Sequence, residues 1–197
     1  MKITQSAVLI LLFSFLLLGS PGVTEAAVPA VFAKTNEASP GALTAEVAET
    51  VVSDYVLPYP GILPDHPLYA LKRFRDYILD RLIVDPVRKA EFHILQADKR
   101  LNMGLFLLER GNAKLAEETV SKGEKYMHRA VYELVAYKSS GKTVPAYITE
   151  KLGKSMEKHK EVLTEIAGTA GETEKSGFAG SLELVLSLEP EAAKLIE

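Results

Sequence analysis

Three ionisable residues on three predicted helices have the types and spacing to meet inside a protein. His159 lies in the middle of the apolar side of its helix, between Met156 and Val162, and this position predicts a buried imidazole. Asp98 and Glu124 flank the apolar sides of the two preceding helices. If consecutive helices run antiparallel, all three residues lie at one level. The sequence therefore predicts a polar layer of His159, Asp98 and Glu124 inside a helical domain.

Such a layer has two interpretations. A buried imidazole beside carboxylates is commonly a structural pair, because a group left without a partner costs about 1 to 3 kcal/mol, and the layer then fixes the register of the helices. Alternatively His159, Asp98 and Glu124 bind a metal ion, with His93 and His128 nearby in level but at the edges of their helices. The paired Glu-x-x-His pattern of metal-binding bundles is missing. We expect no metal and no cofactor, and retain the three residues as the candidate ligands.

Catalytic sequence patterns are absent. The chain contains no glycine-rich phosphate loop, no GxSxG, no HExxH and no calcium-binding loop. No serine or threonine has a histidine and an acid at a recognisable local spacing. His66, between Asp65 and Pro67, is interpreted as a helix cap or a surface group. We therefore expect that the chain is not an enzyme and has no catalytic residue.

The helix that organises the rest is predicted from Asp85 to Gly111. An Asp-Pro pair caps its first turn, and Gly111 allows a left-handed stop. A third helix follows from Asn112 to Ser139, and the short connection predicts an antiparallel hairpin in which facing residue numbers sum to about 223. The apolar stripe of the first of these two helices is Val87, Ala90, Ile94, Ala97, Leu101, Leu105 and Leu108.

Two further helices complete the predicted bundle. Pro145 begins the fourth, which carries His159, and a weaker fifth runs from about Glu172 to Leu188. No strand pattern is present. The predicted fold class is all-α, an antiparallel up-and-down bundle of four to five helices with a proline-rich N-terminal arm. We expect the helical domain to cover residues 53–189 and a C-terminal tail to cover 190–197.

The arm runs from Tyr55 to Pro67. Its prolines rule out a helix before Leu68, and Asp65 or His66 caps the helix that follows. The apolar arm residues either pack against the bundle or form a proline-aromatic ligand for a partner protein. These residues are Tyr55, Tyr59, Ile62 and Leu63.

The helix after the arm has apolar residues at helical spacing. This spacing predicts that the apolar residues pack inward and that the charged residues between them lie outside. The inward set is Leu71, Phe74, Ile78 and Leu82, and the outward set is Lys72, Arg73, Arg75 and Asp76.

The N-terminus has the order of a secretory signal. Lys2 precedes an apolar run of about a dozen residues, and small residues then lead to a cleavage position after Ala26 or Ala27. We expect a signal peptide at 1–26, a flexible linker at 27–52 and an extracytoplasmic location, secreted or associated with the cell envelope. The run is shorter than the roughly twenty residues of a membrane span. Contact with a membrane is expected only if the leader stays uncleaved.

Composition limits the possible partners. The net charge of -3 and the absence of one basic block argue against nucleic acid. The chain has no cysteine, so its stability must come from packing or a bound ion and not from disulfides. We expect an envelope or extracellular protein or polymer as the partner.

Several stretches resemble a bacterial family, domain of unknown function 5667. They are LPYPGILPDHPLYALKRFRD, DPVRKAEFHILQADKRL, GEKYMHRAV and KHKEVL, and the similarity runs from about Tyr55 to Leu188. The resemblance implies a secreted or membrane-tethered helical protein, and it brings no catalytic or binding residue with it. Asp98, Glu124 and His159 lie within ADKR, GEK and KH.

Two functions follow as expectations. The first is a non-catalytic extracytoplasmic helical module that has a structural role or binds a partner in the cell envelope. The alternative is a metal-binding or envelope-stress-sensing bundle that uses the His/Asp/Glu layer. A hydrolase is the third and weakest hypothesis, because no positioned nucleophile and base can be named.

Overall fold

The computed structural model describes residues 54–196, and every regular element within that range is an α-helix, as the sequence predicts. The predicted signal peptide and linker lie outside the described residues. The helices are α1 (Tyr69–Leu82), α2 (Pro86–Glu109), α3 (Ala113–Ser139), α4 (Ala146–Thr169) and α5 (Glu172–Ala193).

The first hairpin of the bundle is formed by α2 and α3. The carboxylate of Asp85 accepts a hydrogen bond from the backbone N–H of Arg88 at 2.8 Å, and a proline occupies the first turn of α2. Gly111 has a φ of 75°, so it provides the left-handed stop between the two helices. Lys89 pairs with Glu133, in agreement with the expected sum of about 223. The predicted antiparallel hairpin is confirmed.

The second hairpin is formed by α4 and α5. It packs on the first hairpin with α4 beside α2, where Ser155 contacts Asp98. Helix α5 lies beside α3, where Lys138 donates a hydrogen bond to the backbone carbonyl of Lys194. The consecutive helices α3 and α4 consequently lie diagonally across the bundle. The chain runs up and down, but its two hairpins place helices of the same direction side by side.

The bundle core is divided into two hydrophobic clusters. The first includes Ile94 of α2, Met127 of α3 and Leu152 of α4, and the second includes Leu101 of α2 and Leu163 of α4. The predicted polar layer lies between them, because Asp98, Glu124 and His159 fall between the two clusters on their helices. The apolar residues at helical spacing along α3, from Ala116 to Leu134, and along α4, from Ile148 to Ile166, are buried.

The packing of α1 differs from the prediction for its apolar residues and for two of its four charged residues. Leu71 is 67% exposed and Phe74 60% exposed, whereas Asp76 is only 4% exposed. The side chain of Lys72 is also turned inward. The apolar stripe of α1 therefore faces away from the bundle. Lys72 and Asp76 face the bundle, whereas Arg73 and Arg75 are exposed as predicted.

The arm and the last helix also differ in part from the expectation. In the arm Leu63 is buried and Tyr55 is half-buried, but Tyr59 is 78% exposed and Ile62 is exposed as well. Helix α5 continues five residues beyond its predicted end at Leu188. It does so because apolar residues further along pack on the first cluster, with Leu188 and Leu195 in that cluster and Ala192 against it.

Two glycines allow α2 and α3 to approach closely. A Cβ at Gly104 would collide with a methyl group of Val120, and a Cβ at Gly123 would lie 3.0 Å from Cβ of Arg100. Gly153 on α4 is exposed and has no atom within 4 Å of the corresponding point. A side chain at Gly104 would therefore force Val120 to shift, one at Gly123 would be tight, and one at Gly153 would meet open space.

We expect Gly104→Ala to lower the free energy of unfolding by about 1 to 3 kcal/mol, because the added methyl overpacks the α2–α3 contact. The matched substitution Gly153→Ala should raise it by up to about 1 kcal/mol through helix propensity alone. Chemical denaturation of both variants measures the difference. Equal effects of the two substitutions would contradict the close approach of the helices.

Candidate functional site

The three residues predicted to form a polar layer meet in the structure. Nδ1 of His159 lies 2.8 and 2.9 Å from the two carboxylate oxygens of Glu124, and Nε2 lies 3.2 Å from Oδ1 of Asp98. All three side chains are completely or almost completely buried. The predicted convergence of α2, α3 and α4 at this level is confirmed.

Two hydroxyl groups, which the sequence reasoning missed, complete the layer. Ser155 donates to Oδ1 of Asp98 at 2.5 Å, and Tyr55 donates to Oδ2 at 2.7 Å. Ser155 precedes His159 by one helical turn, so its position on the same face was a usable signal. Tyr55 comes from the arm, and no local pattern connects it with Asp98. We use the name polar layer for Asp98, Glu124, Ser155 and His159, on which Tyr55 closes.

The carboxylates determine the charge of the imidazole. Burial by itself lowers the pKa of His159, but the negative charges of Glu124 and Asp98 and their hydrogen bonds outweigh burial and raise that pKa to about 9. His159 is therefore an imidazolium at neutral pH, and both ring nitrogens donate to carboxylates. Burial and the charge of Asp98 raise the pKa of Tyr55, so its hydroxyl stays protonated and donates.

This bonding leaves the layer little capacity for chemistry at neutral pH. A doubly protonated imidazole has no lone pair for a metal ion or for accepting a proton. Within residues 54–196 no group of three His, Asp or Glu residues is placed to hold a metal ion. The contacts favour the structural interpretation, in which the layer sets the register of three helices.

The other predicted histidines lie outside the layer. His66 is exposed, and its Nδ1 accepts a hydrogen bond from the backbone N–H of Leu68 at 3.1 Å. Leu68 is itself the N-cap of α1 and has no side-chain cap, so the predicted cap by Asp65 or His66 is wrong and the surface interpretation of His66 is confirmed. His128 stacks on Tyr132 with ring centroids 4.5 Å apart. His93 was expected at a helix edge, but it is 2% exposed. Its place one residue before Ile94 already put it beside the buried stripe of α2.

His93 attaches α1 to α2. Its Nε2 lies 2.7 Å from Oδ1 of Asp80, and its Nδ1 is buried without a hydrogen-bond partner among the described residues. Burial lowers the pKa of His93 despite the opposing effect of Asp80, so we assign a neutral ring that donates to Asp80. Gln96 and Arg100 continue this buried polar stripe along α2. The polar side of α1 therefore meets a polar side of α2 at the contact of Asp80 with His93.

This inverted packing leaves an apolar surface on the outside of the molecule. We use the name α1 surface for the exposed residues Leu71, Phe74, Ile78 and Leu82 together with Arg73, Arg75 and Arg81.

Two grooves flank the α1 surface. A groove of about 420 Å³ lies between α1 and the arm, and its lining includes Leu71, Lys72 and Lys99. A second groove of about 670 Å³ extends from α1 to Tyr126 and Arg129 on α3. No member of the polar layer lines either groove, so the open surface and the buried layer are separate features.

The fold and the layer define an all-helical bundle protein with a charged interior layer. Residues 61–173 match the family described as Domain of unknown function (DUF5667), and the chain belongs to this family. The resemblance seen in the sequence is confirmed. The matched range contains α1 to α4 and Asp98, Glu124 and His159, whereas Tyr55 precedes it. No curated protein and no solved structure matches the chain.

We expect His159→Leu to lower the free energy of unfolding by about 3 to 5 kcal/mol, because it leaves buried carboxylates without their cation. The double variant His159→Leu/Glu124→Leu should be more stable than the single variant. Glu124 has His159 as its hydrogen-bond partner, whereas Asp98 keeps Ser155 and Tyr55. Chemical denaturation at pH 7 tests the order. A double variant less stable than the single one would contradict this account of the layer.

Stability should also depend on pH through His159. Its folded pKa of about 9 exceeds the unfolded value of about 6.5, so its contribution is complete below about pH 6.5 and is lost as the pH rises through about 9. The pKa of Lys72, which burial lowers to about 8, acts in the opposite direction above pH 8. The informative quantity is therefore the unfolding free energy of the wild type minus that of His159→Leu/Glu124→Leu. A difference that stays constant between pH 6 and 9 would refute the imidazolium.

Proposed function

We propose that this protein is a non-catalytic extracytoplasmic helical module that binds a component of the cell envelope through the α1 surface. The observation that carries the proposal is the inverted packing of α1. A helix that only completed the bundle would bury Leu71 and Phe74, whereas here both are more than half exposed.

The size and arrangement of this surface support a binding role. Single exposed apolar residues are ordinary on soluble proteins, but contiguous apolar patches mark interaction sites. Leu71, Phe74, Ile78 and Leu82 form one stripe along α1, and exposed Tyr59 and Ile62 of the arm lie next to it across the smaller groove. The stripe therefore offers one continuous surface to a partner.

The closed polar layer supports a non-catalytic role. A general acid or base must reach the proton that it transfers. His159, the strongest candidate for such chemistry, is 0% exposed and already donates from both nitrogens. Its described contacts are those of a structural group.

The leader pattern of the sequence supports the extracytoplasmic location. Residues 1–26 have the charge, apolar run and small residues of a secretory signal. Among the helices of residues 54–196, none is long and apolar enough to cross a membrane.

A photocrosslinking experiment tests the proposal in cells that produce the full chain. We expect photoreactive benzoylphenylalanine in place of Phe74 to give a covalent adduct in the envelope fraction, because this position lies at the centre of the α1 surface. The same replacement of Tyr147, which is 49% exposed on α4, provides the matched control and should give no such adduct.

Two results would refute the proposed function. One is that neither position gives an adduct. The other is that both positions give the same adduct pattern. Circular dichroism of the purified variants confirms that both retain the helical fold.

A further inference from the structure

The exposed charged residues of α1 are Arg73, Arg75 and Arg81, which all have one sign, and Arg75 pairs with Asp76 at 2.7 Å. Asp76 is 4% exposed, and Asp80 is paired with His93, so both carboxylates of α1 face the bundle. Arg73 and Arg81 are exposed and form no ion pair with any residue of the described range. The stripe is therefore bordered by cations, without an exposed acid on the same helix.

We propose that the α1 surface binds an anionic lipid bilayer, with Leu71, Phe74, Ile78 and Leu82 among the acyl chains and Arg73, Arg75 and Arg81 at the level of the phosphates. This inference rests on the proposed function and specifies its partner. It departs from the expectation that membrane contact comes only through the leader.

The shape of the surface favours a bilayer. The stripe lies on the outer side of a single helix of 14 residues, about 21 Å long. An amphipathic helix of this type lies in the plane of the membrane interface with its apolar side inserted and its basic residues beside the headgroups. A bilayer meets such a convex ridge without needing a complementary groove.

The distribution of charge also favours a bilayer over a second copy of the chain. Two α1 surfaces packed face to face would bring at least four unpaired arginines, Arg73 and Arg81 from each copy, into one interface, where like charges repel. An anionic membrane instead supplies negative charge on both sides of the helix at once.

The groove beside α1 extends the same chemistry. It combines apolar residues of the arm and of α1 with the cations Lys72, Arg75 and Lys99. The Lys72 side chain is almost buried, and its only ion pair within residues 54–196 is a 3.9 Å contact with Asp76, longer than a hydrogen bond. Its ammonium group is available to a phosphate that enters the groove.

The chain contains no cysteine, so one introduced cysteine can be labelled without side reactions. We suggest Phe74→Cys and, as a matched exposed control, Tyr147→Cys in the full chain, each carrying an environment-sensitive fluorophore. The labelled proteins are mixed with vesicles of phosphatidylglycerol or of phosphatidylcholine that contain an acyl-chain quencher. Because the readout is local to the label, insertion of the leader elsewhere does not mimic it.

We expect the label at position 74 to be quenched by phosphatidylglycerol vesicles and the label at position 147 to stay unquenched. Adding Arg73→Glu and Arg81→Glu should weaken the apparent affinity at least tenfold. Each basic residue near an anionic surface strengthens the affinity by a factor of about five. Lys114→Glu with Lys154→Glu makes the same change of charge elsewhere and should leave the affinity within a factor of two or three.

The other outcomes would overturn the inference. Absence of quenching at position 74, equal quenching at both positions, or equal quenching by both lipids would each exclude specific insertion into an anionic bilayer. A signal at position 74 that changes with protein concentration before vesicles are added would assign the surface to a second copy. A protein adduct at Phe74 in cells, together with absence of quenching, would refute this inference and leave the proposed function standing.

Discussion

The bundle depends on one buried cation held between two carboxylates. The imidazolium of His159 links Asp98 of α2 with Glu124 of α3, and without it the centre of the core would contain two uncompensated negative charges. Hydroxyl donors from Ser155 and Tyr55 stabilise the remaining charge on Asp98. The layer joins three helices and the arm at one level, and a shift of any helix by one turn, about 5.4 Å, would separate these partners.

The inverted orientation of α1 follows from which sides of α2 are already occupied. The apolar side of α2 is covered by α3 and α4, so the remaining side presents His93, Gln96 and Arg100, which are spaced as one helical stripe. Arg100 donates to Gln96 on α2 itself and lies over the ring of Tyr126 of α3, whereas His93 has its partner, Asp80, on α1. The contact of Asp80 with His93 turns the polar side of α1 toward α2, and the apolar side of α1 is left outside.

The sequence predicted the features that depend on local periodicity. The Asp85 cap, the Gly111 stop, the hairpin register and the burial of the apolar residues of α3 and α4 follow from local spacing. The His159 layer follows from matching levels between helices. The orientation of α1 and the role of Tyr55 could not be predicted in this way. The orientation of α1 depends on the pairing of Asp80 with His93, 13 residues apart, and the role of Tyr55 depends on its pairing with Asp98, 43 residues apart. Spacing along one helix does not predict pairings between separate segments.

The apolar stripe of α1 also affects how the unbound chain behaves in solution. An uncovered stripe of this kind promotes self-association, and the arginines beside it oppose that association through repulsion. Because dissolved salt screens repulsion between exposed charges beyond about 10 Å at 0.1 M, the protection weakens as ionic strength rises. Colloidal stability of the purified protein is therefore greatest in dilute buffer, and salting-out begins at the helix that the bundle leaves uncovered.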